Sequence, residues 1–200
     1  MRHFLLIVLA MLTLILTGCS SGEVKGTPMP SSGSDGAGDV PQVTQPLDAS
    51  RYVNDPCGLV PSPVLTGLGY TKPGDAKTSK ADQMLAGPSC GWHVRGKMES
   101  LSVGLQTGNR DAGAGGLAGL YAAFQDGQFG YYESAEPIDG YPAAYADGSD
   151  GRPRGYCRLW VGIADDLTFT VGASGYDTEQ NSCGTARQVA SAVLDTLKGG

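Results

Sequence analysis

Histidine is almost missing from this chain. Of 200 residues only His3 and His93 are histidines, which leaves a nucleophile–base–acid triad at most two candidates for its usual base. No C-x₂-C knuckle occurs, so the spacing typical of structural zinc is absent. No G-K-[ST] or G-x-G-x-x-G stands where a strand would hand over to a helix, so the glycines from Gly113 to Gly119 do not read as a phosphate cradle. Charge is sparse, at 17% of residues, and its balance is acidic, with 14 basic against 20 acidic side chains. A nucleic-acid-binding footprint would be basic. The longest apolar run, Phe4 to Leu16, is 13 residues, short of the roughly 20 that a spanning helix needs.

That run is informative in another way. Arg2 precedes it and Leu16-Thr17-Gly18-Cys19 closes it, which gives the three parts of an export signal: basic start, apolar middle, small-residue exit. The tetrad resembles the lipobox of bacterial lipoproteins. The resemblance implies cleavage before Cys19, a diacylglyceryl thioether on its sulfur, and attachment to the extracytoplasmic face of the cell membrane. Two or three acyl chains, at about 0.8 kcal/mol per buried CH₂, give stable anchoring. Removing residues 1–18 takes away Arg2 and no acid, leaving a formal charge of −7. No polybasic segment could then grip anionic lipid, so attachment is expected to depend on Cys19.

Residues 19–50 are expected to form the lipidated cysteine and a tether. The stretch is rich in Ser, Gly, Pro, Thr and Asp, a composition that buries too little surface to offset chain entropy. A flexible segment of this length spans roughly 30 Å. Residues 51–200 are expected to form one folded domain with a core of its own.

Within that domain Asp55-Pro56 reads as the start of a helical turn, and Ser62-Pro63 repeats the signal, with a break at Pro61. Lys72 to Gly87 is polar and reads as loop. Cys90–Val94 and Leu101–Leu105 read as strands. Leu117, Leu120, Tyr121 and Phe124 recur at helical spacing, with Asn109 or Asp111 as cap and Gly127 as stop. Phe129 to Ala146 reads as two strands around a turn. The clearest pattern is a hairpin around Ala164-Asp165-Asp166 that sets Ile163 opposite Leu167, Val161 opposite Phe169, Leu159 opposite Val171 and Cys157 opposite Ala173. Ala186, Val189, Ala190, Val193, Leu194 and Leu197 form one stripe of a closing helix capped by Asn181 or Ser182, and the stripe should lie on the sheet.

With Cys19 set aside, Cys57, Cys90, Cys157 and Cys183 remain. An even number in an exported chain reads as two disulfides. Three connectivities exist. The hairpin register brings Cys157 beside Ala173, about ten residues before Cys183, so the expected bonds are 157–183 and 57–90. Each would stabilise by about 3 kcal/mol on a chain-entropy account.

Asp55-Pro56-Cys57, Cys90-Gly91-Trp92, Cys157 entering a strand and Cys183 before an amphipathic helix occur in that order. With the lipobox and tether, the chain resembles an actinobacterial lipoprotein family, domain of unknown function 3558, over roughly residues 50–198. The resemblance implies an α+β fold of the PsbP-like sandwich type: an antiparallel sheet with short N-terminal helices and the C-terminal helix packed on it. It implies no activity and no active-site residues.

Gly87-Pro88-Ser89-Cys90-Gly91 matches G-x-S-x-G, but a nucleophile elbow follows a strand and opens a helix, and here a loop opens a strand. His93 reads as a surface strand residue. Glu133, Glu136 and Asp139, like Asp147 and Asp150, read as solvated loop charge rather than a glycosidase pair. Asp147-Gly148-Ser149-Asp150-Gly151 lacks the alternating ligands and distal Glu of a calcium loop. Neither metal nor cofactor is expected. Tyr131 and Tyr132 belong to an aromatic concentration with Trp160 nearby. Trp160 has the opposite parity from Leu159 and Val161, and should sit under the final helix or face a partner. These three are the expected interaction face. The expectation is a non-enzymatic, lipid-anchored binding or protein-interaction module that meets an envelope protein and no nucleic acid. The alternative is a carrier of a small hydrophobic or glycan ligand.

Overall fold

Residues 40–199 are described in the computed structural model. Cys19, the expected export signal and most of the expected tether lie outside them.

Seven strands form one antiparallel sheet: β1 (Asp75–Lys77), β2 (Ser89–His93), β3 (Ser100–Leu105), β4 (Tyr131–Ile138), β5 (Tyr141–Asp147), β6 (Cys157–Ala164) and β7 (Leu167–Ser174). Their spatial order is β1-β2-β3-β7-β6-β5-β4. Two meanders therefore meet at the β3–β7 pair. The chain makes β1 to β3, crosses to the far edge, and returns from β4 to β7. Five helices accompany the sheet among the described residues: α1 (Ser62–Gly67), α2 (Lys80–Leu85), α3 (Thr107–Asp111), α4 (Gly116–Gln125) and α5 (Glu179–Leu197).

Strand parity sorts the sheet into two faces. Leu101, Val103, Leu105, Leu159, Val161, Phe169 and Val171 share one face and meet the α5 stripe of Ala186, Val189, Ala190, Val193 and Leu194 in a single buried cluster. The expected pairs Cys157–Ala173, Leu159–Val171 and Val161–Phe169 are all present. The expected Ile163–Leu167 pair is not: a bulge after Gly162 sets Ala164 opposite Leu167, because the turn shrinks to Asp165-Asp166. At the β4–β5 turn, Asp139 and Gly140 both have positive φ, 48° and 87°, the backbone of a tight hairpin turn. Ser191 of α5 donates to Asp139 Oδ2 at 2.6 Å and ties that turn down.

Both disulfides are as expected, Cys57–Cys90 and Cys157–Cys183, with Cα separations of 5.0 and 5.2 Å. The first joins the 3₁₀ turn Pro56–Leu59, capped by the Asp55 carboxylate on the Gly58 N–H, to β2. The second fastens α5 to β6.

Four boundaries differ from the sequence reading. The folded chain starts before residue 51: Val43 is 9% exposed, Leu47 donates its N–H to Ile163 O at 2.8 Å, and Val43 donates to Asp165 Oδ1 at 3.0 Å. Spaced apolar residues within a polar stretch escaped a reading by composition. Lys72–Gly87 is not all loop, since it holds β1 and α2; the Ser79/Asp82 capping box that starts α2 is a local signal. The helix expected from Asn109 or Asp111 is two, α3 and α4, broken at Gly113 and Gly116, whose φ values are 74° and 73°. The cap of α5 is Thr178, whose hydroxyl accepts from the Asn181 N–H.

Candidate functional site

The second sheet face is built from the intervening residues of the same strands. Ser102 and Gly104 lie on β3, Thr168, Thr170 and Gly172 on β7, and Trp160 and Gly162 on β6. It is covered in part by α4. Leu117 and Leu120 of α4 pack on Trp160, Ala144 and Ala146 in a cluster separate from the main core. The first turn of α4 sits on the β6–β7 turn so closely that a Cβ on Gly115 or Gly116 would run into the carbonyl oxygens of Asp166 and Asp165. Glycine is required there for that approach.

Beside this contact the helix and sheet do not close. A cavity of about 310 Å³ remains between α4, α3 and the sheet. Trp160 forms its floor, with Phe129 edge-on to the indole at 5.9 Å between ring centres. Gly119, Leu120 and Ala123 of α4 form one wall. Asn109, Gln128 and Thr168 supply the polar groups, and none of the described residues lining the cavity is charged. Thr168 is 1% exposed and lines the cavity from β7. Its neighbour Thr170 is tied into a chain: Asn109 Nδ2 donates to Gln106 Oε1 at 3.1 Å, and Gln106 Nε2 donates to Thr170 Oγ1 at 3.3 Å.

Trp160 therefore corrects an expectation. It does point away from the hairpin's apolar side, but neither under α5 nor out to a partner. It is 5% exposed, its indole N–H donates to Ala146 O at 2.9 Å, and α4 covers it. Tyr132, half-buried, packs against the same cluster and lies between Tyr121 and Phe124, at 5.2 and 5.8 Å. Burial pushes its phenol upward in pKa.

Tyr131 belongs to a different group. Arg152, with a side chain only 13% exposed, stacks its guanidinium on Tyr131 and Tyr145 at 4.8 and 4.9 Å. It pairs with Asp150 and Glu133, both at 2.9 Å, and hydrogen-bonds the Tyr131 hydroxyl. Its hydrogen bonds hold both carboxyls below their ordinary pKa values. Burial, then the bond to Glu133, pushes the Tyr131 phenol up. Glu133, half exposed on β4, and Asp150 are thus ion-pair partners of a largely covered arginine rather than isolated loop charges. Asp147 Oδ2, enclosed, lies 3.0 Å from Arg158 Nε without an aligned hydrogen bond.

A family model described as protein of unknown function (DUF3558) matches residues 14–196. The chain belongs to this family. The match extends further toward the N-terminus than the resemblance over residues 50–198. No curated protein and no solved structure matches the chain.

Elsewhere in this DUF3558 chain the residues weighed for chemistry stand apart. Ser89 and His93 occupy opposite ends of β2, and Cys90 between them is bonded to Cys57. A second hollow of about 450 Å³ opens beside that disulfide, where Tyr70, Lys72 and Pro73 face Trp92. Gly74 there presses so closely on Cys90 Sγ and Trp92 that a Cβ would collide with both, which makes this hollow part of the disulfide's packing. Asn109, Gln128, Phe129 and Thr168 went unnoticed as site residues. Thr168 had a usable signal, because it shares the parity of Trp160 across the hairpin.

Proposed function

We propose that this chain is a lipid-anchored binding protein of the extracytoplasmic membrane face, held by an acylated Cys19 and carrying a small ligand beneath α4. On this reading it is non-enzymatic: the ligand is held and released, and no bond is made or broken. One observation carries the proposal. A pocket of about 310 Å³, with its mouth at the exposed Gln128, lies over a buried tryptophan. That volume is at the lower end of ligand pockets, about 300–1,000 Å³, and an apolar lining with a few converging polar groups is their usual character. The anchor is supported by the Leu16–Cys19 tetrad, by the acidic balance of the rest of the chain, and by a family match that takes in Cys19. The half-exposed group of Tyr121, Phe124 and Tyr132 favours a second reading, in which α4 and β4 together meet another envelope protein.

One extraction with two readouts tests the proposal. The full chain is expected to enter the detergent phase on phase partitioning, and Cys19→Ala the aqueous phase; equal partitioning would remove the anchor. Native mass spectrometry of the detergent-phase protein is expected to carry one extra small mass, absent from Ala123→Leu, whose side chain fills the cavity. A bare protein mass in both samples would leave the aromatic face as the better account.

A further inference from the structure

We infer that the cavity beneath α4 takes the ring of a single neutral sugar; this rests on the binding reading above. Charge makes the first selection. Among the described residues no lining side chain is charged, so an ionised ligand group would enter without a counter-ion. Burying an unpaired charge costs several kcal/mol, which leaves neutral ligands.

The floor makes the second. The Trp160 N–H is already committed to Ala146 O, so the indole offers a ligand only its apolar surface, with Phe129 standing edge-on beside it. A pyranose has a matching part, the face of ring C–H groups.

The polar groups make the third. Thr168 brings a hydroxyl to the cavity from β7. Asn109 commits one of its two amide N–H groups to Gln106, which leaves the other and its carbonyl. Gln128, at the exposed mouth, brings a whole carboxamide. Donors and acceptors are therefore mixed, which suits a rim of hydroxyls that each donate and accept. An acyl chain would leave these groups desolvated and unpaired, at about 1–3 kcal/mol for each buried one. Size agrees: about 310 Å³ equals the liquid volume of roughly ten waters, room for one ring and not for a two-chain lipid.

Saturation-transfer NMR on the full chain, in a detergent without a sugar headgroup, tests this. The probes are methyl β-D-glucopyranoside, methyl α-D-mannopyranoside, N-acetyl-D-glucosamine, D-glucuronate and 1-octanol. At least one neutral sugar is expected to bind, with saturation strongest on its ring C–H protons, and glucuronate is not. Thr168→Val is expected to weaken that sugar about tenfold by removing one hydrogen bond, and Ala123→Leu to abolish its binding, both variants keeping the parent's circular dichroism. If octanol binds, is blocked by Ala123→Leu, and no sugar binds, the sugar assignment is overturned while the binding reading stands. Sugar binding that survives Ala123→Leu would overturn the location. If no probe binds, the sugar inference is overturned and the native mass spectrum decides the binding reading separately.

Discussion

The two faces of one sheet are made by the same strands and differ in almost everything else. Toward α5, Leu101, Val103, Leu105, Leu159, Val161, Phe169 and Val171 interlock with a five-turn helix, and both disulfides fasten elements to that side. On the reverse, the residues between them are Ser102, Gly104, Trp160, Gly162, Thr168, Thr170 and Gly172, roofed in part by a ten-residue helix. Strand alternation thus separates two tasks within a single element. One parity holds the domain together, and the other borders the cavity in which a ligand is proposed to sit.

The sharpest way to break this comparison is to make the same deletion on each side. Leu159 is fully buried under α5, and Leu120 is buried on α4 beside the cavity. Leu→Ala costs about 2–5 kcal/mol, and the amount depends on the volume newly left empty and on how far the site can collapse. Leu159→Ala is expected near the top of that range, about 4 kcal/mol, because the close-packed first face cannot relax. Leu120→Ala is expected near the bottom, about 2 kcal/mol, because its side chain already borders open space. Urea denaturation of both variants checks it. Equal losses would mean that α4 is as tightly packed as α5.

The contrast also explains what was legible beforehand. The first face was readable because its residues announce themselves twice, as alternating strands and as a 3.6-period helix, and the two patterns must meet. The register of Cys157, Leu159 and Val161 against β7 then carried the disulfide pairing. The second face has no such redundancy. Serine, threonine and glycine at alternate positions look like a solvated surface, and nothing local says that α4 returns across them. Trp160 was assigned the correct side and the wrong neighbour for that reason. Its cover comes from a helix some forty residues earlier, seated by Gly115 and Gly116 on the β6–β7 turn, a contact set by topology rather than by pattern. The Arg152 cluster was hidden in a similar way, since Tyr131, Tyr145 and Asp150 converge only once β4, β5 and the following turn are in register.

That cluster gives the next test, because it adds an acid-sensitive rim to one side while the cavity is free of charge. Glu133 and Asp150 are held below their ordinary values of 4.5 and 3.8 by hydrogen bonds from Arg152. The sign follows from linkage: a depressed carboxylate adds stability that is complete above the unfolded value and is lost as pH falls through the folded one. Stability from this source is therefore constant above about pH 5 and declines below the ordinary carboxylate values. Glu133 is half exposed, so the pair with it is discounted for screening, and the stacking on two tyrosines is retained as about 0.5–1 kcal/mol each. Arg152→Gln is expected to cost about 1–2 kcal/mol at pH 7, with the gap to the parent narrowing in acid. Denaturant midpoints from pH 7 to pH 2.5 would reveal parallel curves if the carboxylates contribute nothing.

The smallest effect draws the finest line, within the second face itself. Thr168 and Thr170 are two residues apart on β7 and point to the same side. Thr170 accepts from Gln106, a buried carboxamide that also accepts from Asn109. Thr170→Val would leave that amide N–H without its partner, so a loss of about 1 kcal/mol is expected. Thr168→Val removes a hydroxyl that, on the sugar reading, serves the ligand. Valine keeps the β-branch that suits a strand, so the change is expected to be within about 0.5 kcal/mol of zero. A matched pair of thermal or urea melts separates the two. If Thr168→Val proves the more damaging, its hydroxyl serves the fold rather than a ligand, and the division between a structural parity and a binding parity ends at that residue.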